Sequence, residues 1–330
     1  MYKGKARAHT NIALIKYWGK EDEQLIIPKN NSLSLTLDAF FTETSVYFDE
    51  KLTTDIFILD GQLQDEKATK KISKFLDLFR KKANISSFAK VESINHVPTA
   101  AGLASSASGL CALAGACNQA LGLQLNEREL SIMARKGSGS ACRSVYGGFV
   151  EWEKGHDDET SYAKKIDADA FANELSMIFI VVNQEQKKVS SRDGMKSTVA
   201  TSSFYPVWLQ EAPKDLRAIK QAITAKDFTR LGEITEANAL KMHACTLAAV
   251  PPFTYWNAES MLAMDAVRNL RESGLECYFT MDAGPNVKVL CQKKDEAAIF
   301  AELSKQFRNE QLIIAHAGPG IEYLEMEVSE

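Results

Sequence analysis

The amino-acid sequence predicts an α+β protein in two domains, residues 1–184 and 185–330. Three observations point there. At 330 residues the chain is longer than one ordinary hydrophobic core requires. Strand-like alternation and helical 3.6-residue spacing both recur along it. The second half combines helices with a hairpin that pack into one antiparallel sheet.

The elements follow in order. Residues 44–60 are β-rich, with Thr44, Val46 and Phe48 alternating before Ile56 and Ile58. Ile72, Phe75, Leu76 and Phe79 place a helix over 66–83, and a strand follows at 88–96. Leu110, Leu113, Ala114, Cys117 and Leu121 mark one face of a helix over 106–121. A helix over 126–135 and strands near 147–153 and 175–183 complete the first half. In the second half, helices are expected at 213–223, 226–242 and 258–272, the last stopped by Gly274. Strands at 277–282 and 287–291 flank the turn Ala283-Gly-Pro-Asn286. A helix over 295–307 and a strand near 311–316 end the pattern.

Composition narrows the function. With 45% apolar and 25% charged residues the chain reads as an ordinary globular protein. Its net charge of -4 and pI of about 5.9 give no general attraction to nucleic acid or to an anionic membrane. Any anionic ligand is then held by local cations. Six cysteines without a C-x-x-C pair read as small core residues in a reducing compartment. No apolar signal core opens the sequence, and a cytoplasmic location is expected.

Five stretches are candidates for chemistry. Pro98-Thr-Ala-Ala-Gly-Leu-Ala-Ser-Ser-Ala-Ser-Gly109 precedes a helix, where small residues and free N–H groups suit phosphate. The same run also reads as a tight turn with Ser106 as N-cap. Arg135-Lys-Gly-Ser-Gly-Ser-Ala-Cys-Arg143 gathers backbone donors, hydroxyls and a guanidinium, either for a second anion or as a solvated loop. Lys16, after an apolar strand-like run, either snorkels to solvent or faces a cleft, with Tyr17 and Lys20 close by. Lys187 to Met195 is a basic, hydroxyl-rich approach to a helix, or simply its cap. Finally, Tyr278, Thr280 and Asp282 share one strand face, and Asp282 ends that strand at the hairpin, where turn chemistry competes with catalysis.

These pieces in this order resemble the GHMP kinase superfamily. Pro98–Ser108 is similar to its phosphate-binding loop, Pro-x-x-x-Gly-Leu-x-Ser-Ser-Ala. Ala104 stands where the common version has glycine, and the variant Gly-Leu-Ala-Ser-Ser-Ala-Ser resembles the diphosphomevalonate decarboxylase branch. Asn11–Lys20, Gly137–Arg143, the segment from His243 to Trp256, and Tyr278–Asn286 resemble the same branch.

The resemblance implies a two-domain GHMP kinase fold with ATP and mevalonate diphosphate in a cleft between the domains. Ala101, Gly102, Leu103, Ala104, Ser105 and Ser106 would cradle the ATP phosphates, with Ser106 reaching magnesium. Ser93 would meet the adenine. Tyr17, Lys20, Ser138, Gly139, Ser140, Arg143 and Arg192 would bind the substrate's diphosphate and carboxylate. Ser191 and Lys187 would lie near the transferred phosphate, and Lys16 and Asp282 at the reacting hydroxyl. A homodimer is implied as well. A kinase that stops before decarboxylation, or a ligand sensor, is the alternative to test.

Overall fold

The computed structural model describes residues 2–96, 106–182 and 189–326. In chain order the first part runs β1 (Tyr2–Ile15), β2 (Lys20–Asp22), β3 (Ile27–Pro28), β4 (Ser32–Asp49), β5 (Ile56–Leu59), β6 (Gln62–Leu63), α1 (Glu66–Ala83), β7 (Phe88–His96), α2 (Ser106–Ala120) and α3 (Glu127–Gly137). A 3-10 helix at Gly139–Val145, then β8 (Phe149–Trp152) and β9 (Ala163–Lys165), follow. The remainder runs α4 (Asp169–Ala172), β10 (Leu175–Ile180), α5 (Ser191–Thr201), α6 (Tyr205–Ala225), α7 (Phe228–Leu247), α8 (Ala258–Glu272), β11 (Cys277–Met281), β12 (Val287–Gln292), α9 (Glu296–Leu303), β13 (Leu312–His316) and β14 (Glu322–Leu324).

Two sheets organise the described residues. The first has eight strands, with β14-β1-β4-β7-β5-β6 in order and β8 and β9 extending from β4. Its spine is the antiparallel β1–β4 pair, interrupted by register shifts at His9/Asn11 and Ala13/Ile15. Bulges of this kind re-aim a strand, and the second one lies just before Lys16. Beneath the sheet, α2 packs its small residues Cys111, Ala112, Ala116 and Cys117 into one core with Val46, Phe48, Phe75 and Phe79. Asp65 caps α1 by accepting from Ala68 N at 2.7 Å, and Asn126 with Glu129 forms a capping box at α3.

The second sheet is antiparallel, in the order β11-β12-β10-β13. One face packs Ile178, Phe279 and Val289 against α8 and α9. The other places Phe179, Tyr278 and Leu290 in one apolar cluster with Leu14, Leu33, Phe40 and Phe149 of the first sheet. This shared cluster joins the two sheets.

The structure sharpens several expectations. Two long strands, β1 and β4, replace the single β-rich stretch, because the polar residues on them (Thr10, Asn11, Ser32, Ser34) are buried. α6 begins at Tyr205 and continues through Pro213, whereas a helix is expected to start near proline. Its buried side chains Tyr205, Trp208 and Ala212 supply the packing that holds the earlier turns. β10 pairs with β12 and β13, so 175–180 belongs to the second sheet. β14 returns to the edge of β1. All six cysteines are free and buried, as expected of core residues.

Candidate active site

A cleft of about 1130 Å³ opens between the two sheets. Pockets for a single drug-sized ligand span about 300–1,000 Å³, so this cleft lies just above that range. Its walls come from the end of β1, the 17–20 segment, α1, the starts of α2 and α5, the 136–143 stretch and the β11–β12 turn.

Lys16 is the key to the interior. It does not snorkel. It is 2% exposed, and its ammonium donates to Ala13 O at 2.8 Å and to Asp282 Oδ1 at 2.9 Å. Its backbone is pinned as well: Lys16 N donates to Asn238 Oδ1 at 2.9 Å, and Asn30 Nδ2 donates to Lys16 O at 2.8 Å. Burial lowers the ammonium from 10.5 to about 8, with Asp282 opposing that shift. Asp282 ends β11 at the hairpin. Burial pushes its carboxyl up, but the ammonium groups of Lys16 and Lys288 outweigh that and hold it well below the usual carboxylate range. Its side chain is still 38% exposed and reachable from the cleft.

Arg143 is a second buried cation, 2% exposed. Its guanidinium donates to Asn11 Oδ1 (3.1 Å), Ser34 Oγ (3.0 Å) and Ser32 Oγ (2.6 Å), and lies 5.9 Å from the centre of a Trp152 ring. These acceptors are neutral, and among the described residues it forms no ion pair. A buried charge without a counter-ion is costly, which suits a site that waits for an anion. Asn11 also donates to Ser140 O at 3.0 Å, which ties the strand to the 3-10 helix.

Gly139 is required by close approach. A Cβ there would meet Trp152 at 2.7 Å and Tyr17 at 3.0 Å. Ser138 and Ser140 flank it with hydroxyls 3.5 Å apart. Tyr17 packs on Trp152 at 4.7 Å, and its buried hydroxyl has no hydrogen-bond partner among the described residues. Lys20 lines the cleft, but its ammonium is held by Glu23 at 2.6 Å. The segment carrying Tyr17 and Lys20 is anchored by Tyr205 Oη, which donates to Trp18 O at 2.8 Å.

On the opposite wall, Ser190 caps α5 by accepting from Asp193 N at 3.1 Å, so Ser191 and Arg192 occupy the exposed first turn and line the cleft. Ser106, the first residue of α2, also lines it. Ala101 to Ser105 and Lys187 lie outside the described residues. Ser93 is not among the lining residues: it is buried on β7 and its hydroxyl is 2.8 Å from that of Thr44.

Three lining lysines escape sequence reasoning. Lys71 and Lys74 belong to the polar face of α1, where surface lysines are ordinary. Lys288 is more informative. It is 2% exposed and 3.1 Å from Asp282 Oδ2, and it sits in a strand of Val287, Val289, Leu290 and Cys291. A single lysine in so apolar a strand is the signal that would have found it. His243, 1% exposed beside this group, is pushed by burial to about 3, so its ring is neutral.

Comparison with known proteins agrees with this geometry. Residues 8–163 match the family described as Diphosphomevalonate decarboxylase-like N-terminal domain, and residues 177–326 match the Mevalonate 5-diphosphate decarboxylase C-terminal domain. A Candida albicans diphosphomevalonate decarboxylase is 36% identical over 322 residues, covering 93% of this chain and 89% of that protein.

The chain belongs to the diphosphomevalonate decarboxylase family.

Within that family, the mevalonate diphosphate decarboxylase of Enterococcus faecalis is 62% identical, with a TM-score of 0.95 and coverage of 98% of this chain and 99% of that one. A structure described as MDDEF in complex with MVAPP, AMPPCP and magnesium is 63% identical, with a TM-score of 0.96 and the same coverage. The α+β, two-domain GHMP kinase fold expected from the sequence agrees with these structures.

Proposed function

We propose that this protein converts (R)-5-diphosphomevalonate to isopentenyl diphosphate at the expense of ATP, releasing ADP, phosphate and carbon dioxide, in the mevalonate pathway of isoprenoid biosynthesis. The observation that carries this reading is the 2.9 Å pairing of Lys16 with Asp282 inside a cleft also lined by Arg143 and Arg192. The ligands of the related MDDEF structure support it.

The chemistry has two stages. The tertiary hydroxyl of the substrate is a poor leaving group, so it first takes the γ-phosphoryl of ATP. Phosphate then departs with its C–O bonding pair, the carboxylate is lost as carbon dioxide, and the C–C electrons become the new double bond. Asp282 orients the hydroxyl. As the phosphoryl group arrives, Asp282 takes the hydroxyl's proton and passes it to solvent, and its negative charge then faces the tertiary carbon as positive charge develops. Phosphoryl transfer through a loose transition state asks more of positioning and electrostatics than of a strong base. Lys16 steadies the carboxylate and the phosphoryl group.

Arg143, with Tyr17, Lys20, Ser138, Gly139, Ser140 and Arg192, is assigned to the anionic groups of mevalonate diphosphate. Ser191 and Lys187 are assigned to the transferred phosphate, and the 101–106 loop to the ATP phosphates. Ser93 stands apart: its hydroxyl pairs with that of Thr44, and an adenine contact uses the donor or acceptor capacity which that bond leaves.

Among the described residues no cluster of three or more His, Cys, Asp or Glu side chains forms a metal cage. A hydroxyl at the exposed start of α2 fits magnesium that arrives with the nucleotide, since that ion takes oxygen ligands and keeps much of its shell from phosphates and water. When bound, magnesium neutralises phosphate charge during transfer; Ser106 is the residue assigned to it.

The same reading includes a homodimer and a cytoplasmic location. Exposed apolar side chains at the ends of α6 and α7, Phe204, Val207 and Leu247, offer a face for self-association, and six buried thiols suit a reducing compartment. Among the described residues no helix is long and apolar enough to cross a membrane. The same reading keeps the two domains as residues 1–184 and 185–330.

Phosphorus NMR of the protein with ATP, magnesium and mevalonate diphosphate tests the function. Isopentenyl diphosphate, ADP and phosphate in equal amounts are expected. A phosphorylated mevalonate diphosphate as end product would make the protein a kinase, and bound nucleotide without turnover would make it a sensor.

A further inference from the structure

Asp282 is gripped twice. Lys16 approaches Oδ1 at 2.9 Å and Lys288 approaches Oδ2 at 3.1 Å, from different strands. Lys288 lies on β12 directly across from Thr280, and its ammonium also donates to Asn286 O at 3.2 Å. Its strand neighbours are all core, so an apolar side chain would satisfy packing at this position. A buried ammonium instead carries a desolvation cost that needs a compensating partner.

We propose that Lys288 is a positioning residue for the decarboxylation, one that fixes the Asp282 carboxylate on the oxygen opposite Lys16. A carboxylate has about four lone-pair sites. With one oxygen held by each lysine it cannot rotate about χ2 without breaking both contacts, and it presents its remaining lone pairs to the substrate hydroxyl in one orientation. The inference rests on the function proposed above and assigns a residue to it.

Other charged or titratable groups share this neighbourhood: Arg143 from the 3-10 helix and His243 from α7, in addition to Lys16 from β1. Lys288 and Arg143 both oppose the charge on Lys16. Removing Lys288 therefore lets Lys16 hold its proton to higher pH, an effect that packing alone would not produce.

The test uses Lys288→Met and Lys288→Arg in the full chain, with two readouts. In ligand-free protein, NMR of lysine labelled at Cε follows the titration of Lys16, assigned by its loss in Lys16→Arg. Lys288→Met is expected to move the Lys16 midpoint up by about one pH unit, and Lys288→Arg to leave it in place. In the assay with mevalonate diphosphate, Lys288→Met is expected to lower kcat by about 10- to 100-fold, with KM for ATP unchanged, and Lys288→Arg to recover most of the loss. An unmoved Lys16 midpoint would overturn the proposal. So would a Lys288→Met defect confined to KM for mevalonate diphosphate, which would make Lys288 a substrate-binding group, or a uniform loss of folded protein in both variants. A wild-type protein inert on mevalonate diphosphate would overturn the functional reading instead, while the NMR titration would still decide whether Lys288 sets the charge of this group.

Discussion

The Lys16 ammonium lies 2.9 Å from Asp282 Oδ1, joining the end of a strand in the first sheet to the end of a strand in the second. An ion pair thus lies where the two sheets meet, with the apolar cluster of Leu14, Phe149, Phe179 and Tyr278 packed between them.

The charge of Lys16 sets a pH limit on activity. Its ammonium titrates near 8 in the folded protein and at its ordinary 10.5 when unfolded. kcat/KM is expected to fall as pH rises through about 8, as the amine loses its charge. Stability should move the other way. Between pH 8 and 10.5 the unfolded chain binds the proton that the folded one has released, so Lys16 favours folding increasingly over that window. Comparing pH-dependent denaturant unfolding of wild type and Lys16→Met isolates this contribution.

His243 gives the opposite limb. Burial holds its ring near 3 against an ordinary 6.5. As pH falls from 6.5 towards 3, the unfolded chain takes up a proton that the folded chain refuses, and stability drops by about 1.4 kcal/mol per pH unit from this residue. The ring packs 5.0 Å from Trp256, a setting that accepts an aromatic replacement. In His243→Phe the loss of stability between pH 6 and 4, followed by urea unfolding, should be shallower than in wild type.

Arg143 should govern affinity for the diphosphate substrate. Its three hydrogen bonds to Asn11, Ser32 and Ser34 need the planar fork of a guanidinium. Arg143→Lys keeps the charge and loses the fork. Its KM for mevalonate diphosphate is expected to rise by at least about tenfold, equivalent to about 1.4 kcal/mol. Wild type should gain thermal stability on adding mevalonate diphosphate, and Arg143→Met should gain none. An equal melting shift in both proteins would place the anion elsewhere.

Gly139→Ala probes the fit between the substrate loop and its aromatic support. The added methyl group meets Trp152 and Tyr17 at 2.7 and 3.0 Å, and Trp152 is fully buried. Overpacking of this kind costs about 1–3 kcal/mol. A lower melting temperature together with a higher KM for mevalonate diphosphate is expected, with KM for ATP little changed.

Much of the site is legible in the sequence because its residues break local rules. Lys16 follows an apolar run, and Asp282 closes a strand whose two faces are both buried, with Tyr278 packing towards the first sheet and Phe279 towards α8. Gly139 stands between two serines where a side chain does not fit. Lys288 is legible only as a lone lysine in an apolar strand; its place beside Asp282 is set by the β11–β12 register and appears only in the fold. The start of α6 is also hidden, because Pro213 breaks the local helical signal while Tyr205 and Trp208 are held by tertiary contacts. The membership of β10 depends on pairing with strands over 100 residues away, which no local pattern encodes.

The most direct measurement of the central claim follows ADP and carbon dioxide together in wild type and Asp282→Asn, with nucleotide affinity measured alongside. Wild type should release the two products one to one, and Asp282→Asn should lose about 100- to 10,000-fold of both rates while binding ATP as before. Full release of both products by Asp282→Asn, or ADP from wild type without carbon dioxide, would contradict the account.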